Sequence, residues 1–443
     1  MADLASRRLL SGLCAVMLSS SLLLGCDKGS NQAAGSASEP GSPPNGAPDR
    51  DASPPASNAA GSISGAPAGP SATSPTAVGA ALEDFIPLDK KACNVSSNEV
   101  GRYLKRGELA IAGREGAVGV AWLIDLTSKV QVAFAGFDSE AKQVLRGRGV
   151  GLSREHAPRV FATGADWTVA WLDPMGLAYI RAAAQTMPAP GIEHLSSISP
   201  DTAEYAAVAS TPGGALVAVA PFGPDRAQLA LFLFAPSQPD APPIQAVGVT
   251  KHAKGPKKPA IAADAGGYYI TWFEEGGQIA ASHFDAAGKE GDATAVMPAT
   301  HTKREHLSIV AAGDGAVVLW MEGDTIQVRG LDRNARPLAA PHVVGRGKWP
   351  ALASNADGAY VAWVGKGRTS AEQLLVTRLA PSGAPAPKGL EVTDGNAVQD
   401  PVALAFAGAR IALAWTEGMA ASVSTKRLTL RLFDPSCVPA HAP

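Results

Sequence analysis

Lys258-Pro259-Ala260-Ile261-Ala262, Asp264-Ala265-Gly266-Gly267 and Tyr268-Tyr269-Ile270-Thr271-Trp272 follow one another as an apolar strand, a glycine turn and a second strand closed by a tryptophan. The phrase returns as Trp349-Pro350-Ala351-Leu352-Ala353, Asn355-Ala356-Asp357-Gly358 and Ala359-Tyr360-Val361-Ala362-Trp363. Short β-branched and aromatic runs bounded by Asp-Gly or Gly-Gly pairs read as hairpins, and no helical periodicity competes with them. Aligned on the closing residue, the copies end at Trp122, Trp171, Ala220, Trp272, Trp320, Trp363 and Trp415. Successive spacings are 49, 49, 52, 48, 43 and 52 residues. The third copy loses its tryptophan and keeps the pattern, in Leu216-Val217-Ala218-Val219-Ala220.

A unit of that length holds four short strands, and a ring of such units is a β-propeller. Seven anchors predict an all-β, seven-bladed propeller. A sandwich leaves the recurrence unexplained, and the strand alternation excludes a helical solenoid. The large flat ring closing each second strand is expected to pack between neighbouring blades, in preference to forming a cofactor box such as quinone-dependent propellers carry. Gly and Pro together make 82 of the 443 residues, which suits a chain of many tight turns.

Ring closure poses a separate question. After Trp415 one long strand, Lys426 to Phe433, brings the last blade to three strands. The unmatched segment Ala92-Cys93-Asn94-Val95-Ser96-Ser97-Asn98 is the candidate for its fourth, outer strand. Cys93 and Cys437 then fall on neighbouring strands, and a disulfide between them pins the seam across a separation of 344 residues. The alternative is two unpaired buried thiols.

The chain begins with Arg7-Arg8 and an apolar run from Leu9 to Leu24 that is too short and too early to span a bilayer, so it reads as an export signal. Leu23-Leu24-Gly25-Cys26 resembles the lipobox of bacterial lipoproteins. That resemblance implies lipid transfer to the Cys26 thiol and cleavage before it, and multiple acyl chains anchor firmly where one is marginal. Asp27 resembles the inner-membrane retention residue of enteric lipoproteins. Ser6-Arg7-Arg8-Leu9-Leu10 is similar to a twin-arginine signal, the plainer reading being two ordinary signal-peptide charges.

From Asp27 to about Leu82 the sequence is mostly Ala, Gly, Ser and Pro, including Ser42-Pro43-Pro44-Asn45-Gly46. It cannot bury enough apolar surface to offset its ordering entropy, so a disordered tether is expected. The expected organisation is a signal over 1–25, a tether carrying the lipidated Cys26 over 26–85, and the propeller over 86–443. These assignments place the protein in the cell envelope, on the periplasmic face of either membrane or on the cell surface, as a monomer attached to the membrane through lipid.

The formal net charge of −2 argues against nucleic acid, which calls for a basic face. No sequence motif calls for a cofactor. The loops that lead into the first strands carry Arg154-Glu155-His156, Lys257-Lys258, Arg304-Glu305-His306, Lys348-Trp349 and Gln399-Asp400. Two residues after the anchors stand Asp173, Glu274, Glu322 and Glu417, each on the side of its tryptophan. One reading makes Arg154, His156, Asp173, Lys258, Glu274, His306, Glu322, Trp349, Asp400 and Glu417 a binding funnel around the central channel. The other makes them ion pairs between blades and solvated loop ends.

No residue is assigned a catalytic role. His156 and His306 lie in different blades without a Cys partner or a close third ligand, so no metal site is expected. No nucleophile elbow and no phosphate-cradling loop is present. The Asp-Gly hairpins resemble the Asp-box of sialidases superficially, but the tryptophan lies too far from the Asp. They also resemble the turns of periplasmic TolB-type and WD40-like propellers. Ser354-Asn355-Ala356-Asp357-Gly358 echoes that turn, while the α/β domain preceding the TolB propeller has no room here. The functional expectation is a non-catalytic binding or scaffolding module that meets an envelope protein or glycan through one propeller face. The rival is a hydrolase or lyase working from the funnel, with His156, His306, Glu274 and Glu322 as candidates.

Overall fold

The computed structural model describes residues 82–443 except 103, 127–128, 154–156, 184–191, 196–206, 211–215, 223–226, 235–243, 250–254, 369–371, 394–400, 420–421 and 442–443. The segment read as an export signal, Cys26 and nearly all of the expected tether lie outside the described residues.

The strands assemble into seven antiparallel sheets, one per predicted repeat. Blade one is built from Leu104–Arg114, Ala117–Leu126, Lys129–Asp138 and Gln143–Ser153. Blade four takes Lys257–Ala263, Gly267–Phe273, Ile279–Asp285 and Thr294–Met297. Blade five takes Arg304–Ala312, Gly315–Glu322, Thr325–Leu331 and His342–Arg346. Blade six takes Lys348–Asn355, Gly358–Lys366, Glu372–Leu379 and Gly389–Glu391. Each first strand touches the first strands of both neighbouring blades all the way round, so the seven sheets close into a ring. The fold is a seven-bladed β-propeller.

The apolar side chains explain the ring. They gather into seven cores, each drawn from two adjacent blades. Trp122, Trp171, Trp272, Trp320, Trp363 and Trp415 each sit in one of these cores, at 4% exposure or less. Burying a tryptophan this fully is worth about 3–5 kcal/mol by the cost of truncating it. At the junction of blades two and three, Ala220 stands in the tryptophan position and Tyr179 and Phe232 fill the core.

A second repeat signal makes room for the rings. Outer strands carry Val100-Gly101, Val150-Gly151 and Val344-Gly345. A Cβ on Gly151 would lie 2.2 Å from the Trp171 ring, and one on Gly345 3.0 Å from that of Trp363. The missing side chain is where the next blade's tryptophan packs.

The seam closes by strand donation. Ser96–Arg102 pairs antiparallel with Ser422–Phe433 and completes blade seven, whose other strands are Ala403–Ala407 and Arg410–Met419. Cys93 and Cys437 form a disulfide with their Cα atoms 5.8 Å apart. The expectation needs one correction: the cysteines lie in the turns flanking the two strands. Cys437 occupies the turn Phe433-Asp434-Pro435-Ser436-Cys437, which matches Phe137-Asp138 and Phe284-Asp285 at the third-strand exits of other blades. Those turns lead by peptide bonds into the outer strand; here the disulfide supplies the covalent link.

Arg410 reinforces the seam, donating to Ser96 Oγ at 3.0 Å and to the Leu432 carbonyl at 3.1 Å. Asn98 Nδ2 donates to the Ala141 carbonyl of blade one at 2.8 Å. One strand was not foreseen. Phe85–Pro87 adds to the outer edge of blade six in parallel with Gly389–Glu391, making that sheet five-stranded.

Candidate functional site

Antiparallel register puts the start of each first strand beside the end of its second strand. Lys257 pairs with Phe273, Arg304 with Glu322 and Lys348 with Val364. The loop residues singled out in the sequence and the acids after the tryptophans therefore share one end of the propeller, around the channel mouth. Arg154, His156 and Asp400 lie outside the described residues.

The acids turn into the blades. Glu274 and Glu417 are 9% and 6% exposed, and their Oε1 atoms accept the indole N–H of Trp272 and Trp415 at 3.1 and 2.9 Å. The second oxygen of Glu274 accepts from Gln278 Nε2 at 2.7 Å, and that of Glu417 from Arg427. Glu322 accepts from Gln327 Nε2 at 2.8 Å and faces Arg304 at 3.7 Å. Asp173, also buried, accepts the Met175 backbone N–H at 2.7 Å. A charge-assisted bond to a buried donor is worth about 1.5–3 kcal/mol, so these carboxylates hold the blade ends together.

Arg304 does similar work. Its guanidinium reaches from blade five to the Gly277 and Pro298 carbonyls of blade four at 2.9 and 2.7 Å. Burial lowers its pKa from the usual arginine value, and Glu322 opposes the shift.

The other loop residues behave differently. Lys258, His306 and Trp349 have φ of 46°, 53° and 53°, the left-handed region that non-glycine residues avoid. They occupy the same place in three consecutive blades. In each, the first strand runs three residues against two of its partner, between Lys257 and Ala260, Glu305 and Ser308, and Lys348 and Ala351. These are β-bulges, which re-aim side chains near sheet ends. Left-handed backbone costs about 1–2 kcal/mol at each such residue.

Lys258 and His306 are exposed, and Trp349 is half-buried with the Lys348 ammonium 4.4 Å from its ring centre. Although His306 as a whole is exposed, partial desolvation of its ring lowers the imidazole pKa below its ordinary value; Glu305 pulls upward and Lys258 pushes further down. The mouth thus places the Lys258 ammonium near the His306 imidazole, both on strained backbone, while Trp349 at the matching position of blade six packs partly against the core of blades six and seven. Sequence reading picked the three residues, while their shared conformation left no signal in residue type. Among the described residues no group of three His, Cys, Asp or Glu side chains is placed to hold a metal ion.

Blades one, three and six break the acid pattern, with Ile124, Phe222 and Gly365 two places after the anchor. The position two after Trp363 is Gly365, and the buried Trp363 indole N–H has no acceptor among the described residues. Beside it opens a cleft of about 720 Å³ between blades five and six.

No family model matches the chain, and no curated protein does. Solved structures do. The periplasmic gluconolactonase of Pseudomonas aeruginosa is similar at 18% identity and a TM-score of 0.43, over 64% of this chain and 85% of that one. AofleA from Arthrobotrys oligospora matches at 14% identity and 0.41, over 68% and 91%. An α-L-arabinofuranosidase of Podospora anserina matches at 10% identity and 0.35, over 77% and 96%. These are resemblances of architecture, and the activities named belong to those proteins.

Proposed function

We propose that the channel mouth at blades four to six binds an envelope glycan, and that the propeller does so while held at a membrane by lipid on Cys26. One observation carries the reading. Three successive blades keep a non-glycine residue in the left-handed region at the same bulge. Glycine would relieve that strain, so side chains retained there point to use. Their chemistry suits a sugar: an aromatic ring to lie against the C–H face, with Lys258 and His306 to meet hydroxyl or acidic groups.

Retention of the pure protein on immobilised peptidoglycan and lipopolysaccharide sugars tests this. Wild type is expected to be retained, with Lys258→Ala and His306→Ala each weakening retention at least fivefold. Equal retention of both variants would refute the site. Incorporation of a clickable fatty acid, lost in Cys26→Ser, tests the anchor.

A second reading has one specific support. A His306 imidazole with lowered pKa is neutral near pH 7 and beside Glu305, as a general base requires. In this reading the same mouth hydrolyses or eliminates on a bound ester, lactone or glycoside. Glu274 is no partner for it, being committed to Trp272 and Gln278. Turnover of such substrates by wild type, abolished in His306→Gln, would favour it over binding alone.

A further inference from the structure

We infer that the channel mouth selects acidic sugars, and that the junction of blades four and five seats the sugar carboxylate between the Lys258 ammonium and the His306 ring. The inference rests on the glycan reading above and narrows it to one class of ligand. The first strands of these two blades lie side by side. Their matching bulges, with φ of 46° at Lys258 and 53° at His306, bring both exposed side chains to one place. The two are near enough that the Lys258 charge acts on the imidazole.

The neighbouring carboxylates decide the sign of this surface. Glu274 is turned inward to Trp272 and Gln278, and Glu322 to Gln327 and Arg304. Glu305 lies beside His306 and is paired with Lys303. On the blade-six side Lys348 is engaged by Glu372 at 2.8 Å. Lys257 and Lys258, both exposed, form no ion pair among the described residues. The exposed remainder is cationic and attracts an anion. A carboxylate can meet the ammonium with one oxygen and a ring N–H with the other. One ammonium and one imidazole match a single negative charge. Phosphate is better served by a forked guanidinium, and Arg304 is committed to the Gly277 and Pro298 carbonyls.

The arrangement also couples binding to a proton. Desolvation of the His306 ring lowers its pKa, with Glu305 opposing and Lys258 adding to the shift, so the free site holds it neutral near pH 7. A carboxylate placed against the ring favours its protonated form, so binding takes up a proton. Affinity for the acid therefore rises as pH falls toward 6.

The test is calorimetric titration of the whole protein with soluble peptidoglycan fragments and lipopolysaccharide core oligosaccharides, each native and with its carboxylates converted to methylamides. At least one native sugar is expected to bind at least tenfold tighter than its amide, and to gain at least threefold from pH 7.5 to pH 6. Lys258→Gln should weaken the native sugar at least fivefold and the amide less than twofold. His306→Gln should abolish the gain on acidification. Amides bound as tightly as acids, or a pH gain that survives in His306→Gln, would overturn the inference and leave the glycan reading standing. Binding of neither form would overturn both.

Discussion

Glu417 accepts the indole N–H of Trp415 at 2.9 Å, an arrangement that Glu274 repeats for Trp272 at 3.1 Å. Each pair lies at a blade junction, so the carboxylate fixes both its own strand and the ring that the neighbouring blade packs on. Glu417→Ala leaves the Trp415 N–H buried without a partner and is expected to cost about 2–3 kcal/mol in urea unfolding. Glu417→Gln keeps an oxygen acceptor and should cost under about 1 kcal/mol. Equal losses in the two variants would show that the hydrogen bond is not what matters.

The disulfide stands where other blades have a peptide link. Replacing Cys93 and Cys437 with Ser is expected to lower stability by about 2–4 kcal/mol, the usual yield of a long-loop bridge. Removing residues 1–102 takes the donated strand as well and exposes the edge of Ser422–Phe433. That truncation should associate or aggregate, which light scattering would reveal, whereas the Ser variant stays monomeric.

The His306 imidazole sets a pH dependence whose sign follows from its lowered pKa. The unfolded chain takes up the proton near 6.5, before the folded protein does, so stability rises with pH across the window below 6.5 and is lost on acidification through it. His283, also lowered by burial, contributes in the same direction. Unfolding midpoints from pH 7.5 to 5 should fall in wild type, and His306→Gln should flatten the fall without removing it. An unchanged slope would mean the imidazole is as well hydrated folded as unfolded.

Tyr269 gives the alkaline counterpart. Burial first, then the carboxylates of Asp264, Asp332 and Asp314, push its phenol up to about 12. The unfolded phenol ionises near 10, so stability contributed by the protonated phenol is lost as pH rises through that interval. Tyr269→Phe should lessen the loss, as read from unfolding midpoints at pH 9 to 11.5.

The repeat was legible because six of the seven blades bury one large ring at a fixed place, and burial of that size leaves a tryptophan in the sequence. The ring's closure was legible from an arithmetic shortfall, three strands in the last blade and a spare segment near Cys93. The Val-Gly motif of the outer strands was present in the sequence and was missed. Phe85–Pro87 was beyond reading: three residues beside a proline-rich stretch carry no periodicity. The acids of the mouth were found by position, but whether Glu274 faces water or Trp272 depends on a rotamer. The bulge at Lys258, His306 and Trp349 was hidden because its backbone is one that glycine, and not these residues, would announce.

The central claim is that this strained bulge is kept for a ligand, and the double variant Lys258→Gly with His306→Gly tests it most directly. Measured together, unfolding free energy and glycan retention should part company. Relief of the left-handed backbone is expected to leave stability unchanged or raised by up to about 2 kcal/mol, while retention falls at least tenfold. A variant that is less stable and is retained as well as wild type would contradict the account.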